Sequence, residues 1–261
     1  MKNPASGGGR WVEVPPERLL TWIDAFARRH GGAEPVTHSE DGAAVTFAAA
    51  DGATAQCYPP FPPMPSTTSM PPVSSTPPIA AIAAGAEDSA RVPSAAQAAQ
   101  AIVAHAQADR VVGVLLVRLG GYAAGVFAGS PPRLASSKTG SRPVHGRSAA
   151  GGWSQQRFAR RRENQAATAL QAAADAAAGI FGPYGPGGLD AVVLGGDKRS
   201  MAGLRGDARL APYLDLAAGR FLTVPDPRLA VLREIPAAYL AVRIRLTEPK
   251  PDRPAAADRV N

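Results

Sequence analysis

The sequence predicts an α/β protein in which a mixed β-sheet is covered by helices and a small α+β unit precedes it. Between residues 109 and 246, apolar runs of strand length alternate with helix-length amphipathic stretches. One stretch, residues 154–181, would form a helix roughly 40 Å long. We therefore expect four segments: a small α+β domain at 10–62, a Pro/Ser/Ala-rich flexible linker at 63–92, a main domain at 93–248 and a disordered tail at 249–261.

The first segment contains one predicted helix and two predicted strands. Pro15-Pro16 open a helix with apolar side chains on one face, and Gly31-Gly32 end it. The strands, around 43–50 and 54–58, are joined by a tight turn at Asp51-Gly52. One helix on so small a sheet makes a modest core, so we expect this unit to dock on its neighbour.

The second segment is crowded with proline, serine and threonine, which favour neither sheet nor helix. We interpret it as a flexible spacer. Residues 93–107 then predict an alanine-rich helix that leads into the main domain.

The main domain begins with a predicted β-meander. Apolar runs at 111–119 and 122–129 flank Gly120-Gly121, a hairpin signal, and 133–141 predicts a third strand. The long helix follows and is closed by Gly182-Pro183. Beyond it we expect strands at 191–194, 221–224 and 239–246, and helices at 204–216 and 227–234.

The charge distribution points to a polyanionic partner. The formal charge is +7 with a pI near 10.1, and no acidic residue lies between Asp109 and Glu163. A genome-wide composition bias could explain the excess of arginine over lysine, but not this clustering. We expect RNA, and not DNA, to contact Lys138, Arg142, Arg147, Trp153, Arg157, Arg160, Arg161 and Arg162.

Other features exclude several protein classes. Cys57 is the only cysteine, which excludes an intramolecular disulfide and a cysteine-based zinc site, and we expect a buried, inert thiol. No run of ~18 apolar residues predicts a membrane span. The polar, glycine-rich N-terminus does not have the apolar core of a signal peptide. We therefore expect a cytoplasmic protein, acting as a monomer.

The candidate catalytic residues lie in the segment Gly-Gly-Trp-Ser-Gln-Gln at 151–156. Gly151 and Gly152 allow the backbone to approach a ligand closely. Ser154 is a good N-cap for the long helix. Gln155 and Gln156 follow in its first turn, where free amide donors and the helix dipole favour developing negative charge. This arrangement is typical of an oxyanion-stabilising or water-positioning site.

Better-known catalytic patterns do not fit. The segment ends in glutamine, whereas a nucleophile elbow needs Gly-x-Ser-x-Gly, and His145 has no nearby acid to orient it as a base. The glycine pair at 195–196 does not have P-loop spacing. We expect no metal and no cofactor. A metal-dependent nuclease is a rival hypothesis, since three carboxylates lie near a predicted strand end: Asp190, Asp197 and Asp207.

Residues 151–162 read Gly-Gly-Trp-Ser-Gln-Gln-Arg-Phe-Ala-Arg-Arg-Arg. They resemble the signature Gly-Gly-Gln-Ser-x-x-Arg-Phe-x-Arg-x-Arg in the central domain of eukaryotic and archaeal class I release factors. The resemblance is closer still to the bacterial branch of the VLRF family, the Vms-like release factors of ribosome quality control. It extends over the main domain and the N-terminal unit.

One position departs from the release-factor signature. Trp153 stands where that signature has its catalytic glutamine. The VLRF-type pattern, Gly-Gly-Ser-Gln, places glutamine directly after serine, which matches Gln155. We therefore expect Gln155 to be catalytic. Gln156 is either the second candidate for this role or a residue of the helix surface. Trp153 either stacks on the terminal adenosine of tRNA or packs against the helix.

The resemblance implies a peptidyl-tRNA hydrolase. Members of this family cleave the ester that links a stalled nascent chain to tRNA, so the expected partners are the large ribosomal subunit, through its rRNA, and peptidyl-tRNA. The alternative is a non-catalytic protein that binds ribosomes or structured RNA and keeps a release-factor-like fold.

Overall fold

The computed structural model describes residues 4–5, 9–39, 42–64, 93–118, 120–141, 154–217 and 219–249. Its elements, in chain order, are β1 (Pro4–Ala5), β2 (Gly9–Val14), α1 (Pro16–Arg29), β3 (Ala33–His38), β4 (Val45–Ala49), β5 (Thr54–Tyr58), α2 (Ala95–Ala106), β6 (Val112–Arg118), β7 (Gly121–Ala128), β8 (Arg133–Ser141), α3 (Ser154–Phe181), β9 (Ala191–Gly196), α4 (Lys198–Leu204), α5 (Ala211–Leu214), α6 (Leu229–Tyr239) and β10 (Val242–Thr247). These helices and two sheets confirm the predicted α/β class.

The chain divides into two compact units. Unit 1 combines Met1–Ala106 with Ala241–Asn261, and unit 2 is Gln107–Leu240. This division differs from the predicted boundaries at 93 and 248, because α2 and β10 both belong to unit 1. The helix at 93–107 was expected to lead into the main domain, but its buried residues pack in the core of unit 1.

Unit 1 contains a six-stranded sheet with the order β1-β2-β10-β5-β4-β3, in which neighbouring strands are antiparallel. α1 and α2 supply the apolar side chains that pack with one sheet face in a single core. The core is larger than the one-helix unit predicted from the sequence. Cys57 is fully buried in it, as expected, and burial raises the pKa of its thiol.

Two local features of unit 1 follow from single residues. α1 ends where the Gly32 N–H bonds the Ala27 carbonyl at 2.8 Å, with positive φ at Gly31 and Gly32 that suits glycine. Met64 is buried, and its N–H bonds the Gly42 carbonyl at 3.0 Å. The chain therefore packs on unit 1 as far as Met64, one residue beyond the predicted start of the linker. The remaining linker positions, 65–92, lie outside the described residues.

The largest correction concerns β10. The sequence predicted this strand, at 239–246, as part of the main domain, but it lies between β2 and β5 in unit 1. Its Arg245 pairs with Trp11 on one side and with Gln56 on the other. An alternating apolar pattern predicts a strand without indicating its partner, so a pairing across more than 180 residues could not be read locally.

Unit 2 contains a four-stranded mixed sheet with the order β8-β7-β6-β9, in which β9 runs parallel to β6. α3, α4 and α5 pack on one face, and α6 packs on the other, where Phe127 contacts Tyr239. The strand expected at 221–224 is only an isolated bridge between Leu222 and Gly195. The helix expected at 204–216 is broken, because α4 ends at Leu204 and α5 begins at Ala211.

The direction of α3 positions the candidate site. Near its carboxyl end, Phe181 packs against Gly113, at the beginning of β6. Leu170 instead packs against Gly203 in α4, which follows the carboxyl end of β9. α3 therefore runs opposite to β6 and β9. Its amino end extends past the edge of the sheet where those two strands end.

Candidate functional site

The long helix α3 has two halves with different surroundings. The first buried side chain among those described is Ala169, and burial continues at Ala173, Ala177 and Phe181. Within 160–168, each described side chain is exposed or half-buried. We call residues 154–168 the N-terminal half and residues 169–181 the C-terminal half. At ~1.5 Å per residue, the N-terminal half is roughly 22 Å long.

The sequence explains why α3 forms and where it ends. Its 28 residues are rich in alanine, the residue with the highest helix propensity. The apolar spacing buries one stripe against the sheet, and the helix ends at Phe181, two residues before Pro183, which has no N–H to continue the helical hydrogen bonds. The predicted bounds, 154–181, are confirmed. Within the described part of the chain, neither α3 nor another helix is long and apolar enough to cross a membrane.

The structure locates part of the expected catalytic segment. Ser154, Gln155 and Gln156 are the first three residues of α3, so the backbone places them at its amino end. Their side chains, and Gly151 and Gly152 entirely, lie outside the described residues. The first-turn amides of a helix lack intrahelical acceptors, and the dipole makes this end positive. Both glutamines therefore belong to a helix end whose electrostatics suit an oxyanion.

The expected RNA-binding residues occupy the same region where the structure describes them. Arg160 is exposed, and Lys138 is exposed on β8 opposite Ala124, on the sheet face that α3 covers. Arg157, Arg161 and Arg162 belong to the N-terminal half of α3, with side chains outside the described part. Three further predictions lie outside the described residues: Arg142, Arg147 and Trp153.

The charges of the N-terminal half oppose the helix dipole. Its first turn contains no acidic residue, whereas Arg157 is the fourth residue of the helix. A cation at this positive end costs about 0.3–1 kcal/mol, where an acid would stabilise by a similar amount. Packing does not explain Arg160 either, because its side chain is exposed. An anionic partner would offset the cost.

The three carboxylates of the nuclease hypothesis each have a partner in the protein. Asp190 accepts a hydrogen bond from the Val111 N–H at 2.6 Å. Asp197 caps α4 by accepting from the N–H and hydroxyl of Ser200 at 2.7 and 2.8 Å. Hydrogen bonds from Arg209 hold the pKa of Asp207 below its usual value. The described residues contain no group of three possible metal ligands.

One feature was missed at the sequence level, a cleft at the carboxyl end of β6. Two adjoining cavities, about 490 and 430 Å³, share Arg118, Asp226 and Arg228. The smaller cavity has more lining residues than the other. They come from three strands, the segment before α6 and the start of α6, and they include Thr139 and Ser141. Residues more than 100 positions apart meet here, and no local pattern could have indicated it. We call it the Arg118–Arg228 cleft.

Comparison with known proteins gives one family. The sequence model described as Actinobacteria/chloroflexi VLRF1 release factor matches residues 110–245. That range includes the glycine-glutamine segment, the whole of α3 and the sheet of unit 2. No curated protein matches the chain at a significant level.

Proposed function

Because the chain belongs to the Actinobacteria/chloroflexi VLRF1 release factor family, we propose that it is a ribosome-associated peptidyl-tRNA hydrolase. It acts in the cytoplasm on nascent chains that remain attached to tRNA in stalled ribosomal complexes. The matched residues, 110–245, contain the complete segment 151–162 that carries the resemblance to release factors.

One observation carries the proposal: two glutamines stand at the amino end of a helix whose described side chains stay outside the apolar core until Ala169. Gln155 and Gln156 are in the first turn of α3, and burial among the described side chains begins only at Ala169. A helix end carried roughly 22 Å from the packed core suits a catalytic segment that must enter a narrow cavity walled by RNA. The paired glycines before it, Gly151 and Gly152, allow close approach to the substrate.

The reaction needs a positioned water and a stabilised oxyanion, without a nucleophile from the protein. Gln155 orients the water through its amide, and the water oxygen attacks the ester carbonyl carbon. The positive amino end of α3 stabilises the resulting negative charge on the carbonyl oxygen. The bond between that carbon and the ribose oxygen then breaks. The peptide leaves as a carboxylic acid that keeps one proton of the attacking water, and the ribose oxygen takes the other.

The basic residues around the segment bind the RNA that surrounds the ester. Lys138 is exposed on β8, on the sheet face that α3 covers, and Arg160 is exposed on α3 itself, where Arg157 lies three residues before it. The arginine guanidinium binds phosphates through two N–H groups and releases their counterions. Binding to the ribosomal complex should therefore weaken as the salt concentration rises. The arginines supply affinity for the ribosomal complex, and the glutamine supplies the rate.

The test is release of a labelled nascent peptide from purified complexes of the large subunit with peptidyl-tRNA. Gln155→Ala should lower the release rate by about 10²–10³ without weakening binding to the complex. Gln171→Ala is the matched control, because Gln171 is an exposed glutamine in the C-terminal half of the same helix. Full activity of a variant lacking both Gln155 and Gln156 would refute the assignment.

A second candidate function is favoured by one residue. Trp153 occupies the position where the release-factor signature has its catalytic glutamine, which is compatible with a protein that binds the ribosome without hydrolysing the ester. The same assay separates the two functions. Binding of the wild-type protein without any release of peptide would favour the non-catalytic function.

A further inference from the structure

The Arg118–Arg228 cleft has no part in the chemistry proposed above. It lies on the sheet face opposite α3, where α6 begins. Its two adjoining cavities, about 490 and 430 Å³, are open to solvent, and the side chains of Arg228 and Asp226 are 79% and 67% exposed. The two cavities adjoin at the residues they share, so a ligand can extend from one into the other.

The lining of the cleft is rich in hydrogen-bond donors. Arg118 donates to the Val224 carbonyl at 2.6 Å, which uses one of the five N–H donors of its guanidinium. Arg228 forms an exposed ion pair with the Asp226 carboxylate at 3.9 Å, a distance too long for a hydrogen bond. Thr139 and Ser141 add exposed hydroxyl groups. Arginines and hydroxyls together are typical of contacts to RNA phosphates and sugars.

The start of α6 adds a further favourable feature. Leu229, its first residue, lines the cleft, and no side chain caps this end of the 11-residue helix. The amides of an uncapped first turn and the positive end of the dipole favour an anion. The arginines of the lining supply most of the attraction for an anion, and the helix end adds to it.

The position of the cleft connects it to the catalytic segment. Arg118 is the last residue of β6, and Ser141 is the last described residue before the segment 142–153. β6 and β9 end at this same edge of the sheet, and the N-terminal half of α3 extends past it. A polyanion that binds the amino end of α3 and extends roughly 22 Å back along the helix therefore reaches this edge of unit 2.

We propose that the Arg118–Arg228 cleft binds the phosphodiester backbone of the tRNA that carries the nascent chain. This inference rests on the proposed hydrolase function, because the ester at the catalytic segment belongs to that tRNA. The tRNA is covalently part of the substrate in every complex, so its backbone is always near the reacting bond. A ribosomal RNA strand has the same chemistry, and the test below distinguishes the two sources.

The test compares two charge reversals on the same stretch of chain. Arg228→Glu removes a cation from the cleft, and Arg233→Glu makes the same change on the exposed surface of α6, outside the cleft. Binding to deacylated tRNA is measured over a series of salt concentrations. Arg228→Glu should weaken binding by about tenfold at low salt and reduce the salt slope by about one phosphate contact. Arg233→Glu should change neither.

Folding and the source of the RNA are controlled separately. Arg228→Ala, which adds no negative charge beside Asp226, should reproduce the reduced salt slope with an unchanged unfolding curve. Equal effects of Arg228→Glu and Arg233→Glu, or wild-type protein that does not bind tRNA, would overturn the proposal. An effect of Arg228→Glu confined to large subunits without tRNA would overturn it in favour of ribosomal RNA.

The outcome is also separable from that of the proposed function. If wild-type protein releases peptide normally and Arg228→Glu binds tRNA as Arg233→Glu does, the cleft does not bind tRNA, and the hydrolase function stands. If the protein binds tRNA through Arg228 but never releases peptide, the cleft proposal stands and the hydrolase function is refuted.

Discussion

The two halves of α3 form one continuous helix, yet they serve different physical purposes. In the C-terminal half, Ala173, Ala177 and Phe181 are buried against the sheet of unit 2. In the N-terminal half, the described side chains are not buried, and the sequence contains four arginines and one acid. The buried half fixes the axis of the helix, and that axis directs the other half away from the core.

The difference also separates stability from function. Packing stabilises the C-terminal half, and its single acid, Asp175, accepts hydrogen bonds from Arg209 and Gln171 that lower its pKa. The N-terminal half has cations at the positive end of the helix dipole, an arrangement that costs stability. A sequence that keeps such a cost indicates a partner that offsets it, and under the proposed function this partner is RNA.

The largest expected effect is on the buried half. Phe181→Ala should lower the free energy of unfolding by about 3–5 kcal/mol, because the side chain is 1% exposed and packs against Tyr213. Asn164→Ala, at an exposed position in the N-terminal half, should change it by less than about 0.5 kcal/mol. Denaturant unfolding measures both. Comparable losses of unfolding free energy for the two variants would mean that the two halves contribute equally to stability.

The next effect is on RNA binding by the N-terminal half of α3. Arg160→Glu should weaken binding to large ribosomal subunits by about tenfold at low salt and by less at high salt, because one phosphate contact is lost. Arg18→Glu is the control, since Arg18 is an exposed arginine near the start of α1 and gives the same change in net charge. Equal losses for both variants would mean that only net charge matters.

A smaller effect concerns the cap of α4, which packs against α3. Asp197→Ala should lower the free energy of unfolding by about 1 kcal/mol, because Asp197 accepts the Ser200 N–H at 2.7 Å. Asp197→Asn should retain most of that stability, since asparagine is an equally good cap. Both variants should release peptide at the wild-type rate. Loss of activity in Asp197→Asn would revive the metal-dependent hypothesis.

The smallest effect has the opposite sign. Arg157→Glu replaces a cation with an anion in the first turn of α3 and should raise the free energy of unfolding by about 0.3–1 kcal/mol. The same variant should bind large subunits less tightly. Thermal unfolding and a binding titration on one preparation check both. A destabilised variant would contradict the view that these arginines are held for a partner at a cost to the fold.

Local patterns predicted the parts of the fold that depend on neighbouring residues. The bounds of α3 follow from its alanine content and Gly182-Pro183, and the hairpin of β6 and β7 follows from Gly120-Gly121 at their junction. β10 was assigned to the wrong sheet, because its partners, β2 and β5, are far away in the sequence. The isolated bridge at Leu222 was read as a strand, since four apolar-rich residues satisfy the pattern without a ladder.

The candidate site divides in the same way. The position of Gln155 at the start of a long helix could be predicted, because Gly151, Gly152 and Ser154 mark that start. The Arg118–Arg228 cleft could not, since it forms only when the carboxyl end of β6 meets the segment before α6. The roles of the individual glutamines and arginines stay predictions for the experiments above.

Under the proposed function, the catalytic segment sets the rate of release while the arginines behind it set the affinity. This division of roles is tested most directly by measuring the release rate against protein concentration for wild type, Gln155→Ala and Arg160→Glu. Gln155→Ala should lower the maximal rate by about 10²–10³ with an unchanged half-saturating concentration. Arg160→Glu should raise the half-saturating concentration with an unchanged maximal rate. Separate roles for the glutamine and the arginines would be contradicted if Gln155→Ala reached the wild-type maximal rate. They would also be contradicted if both variants changed only the maximal rate, or only the half-saturating concentration.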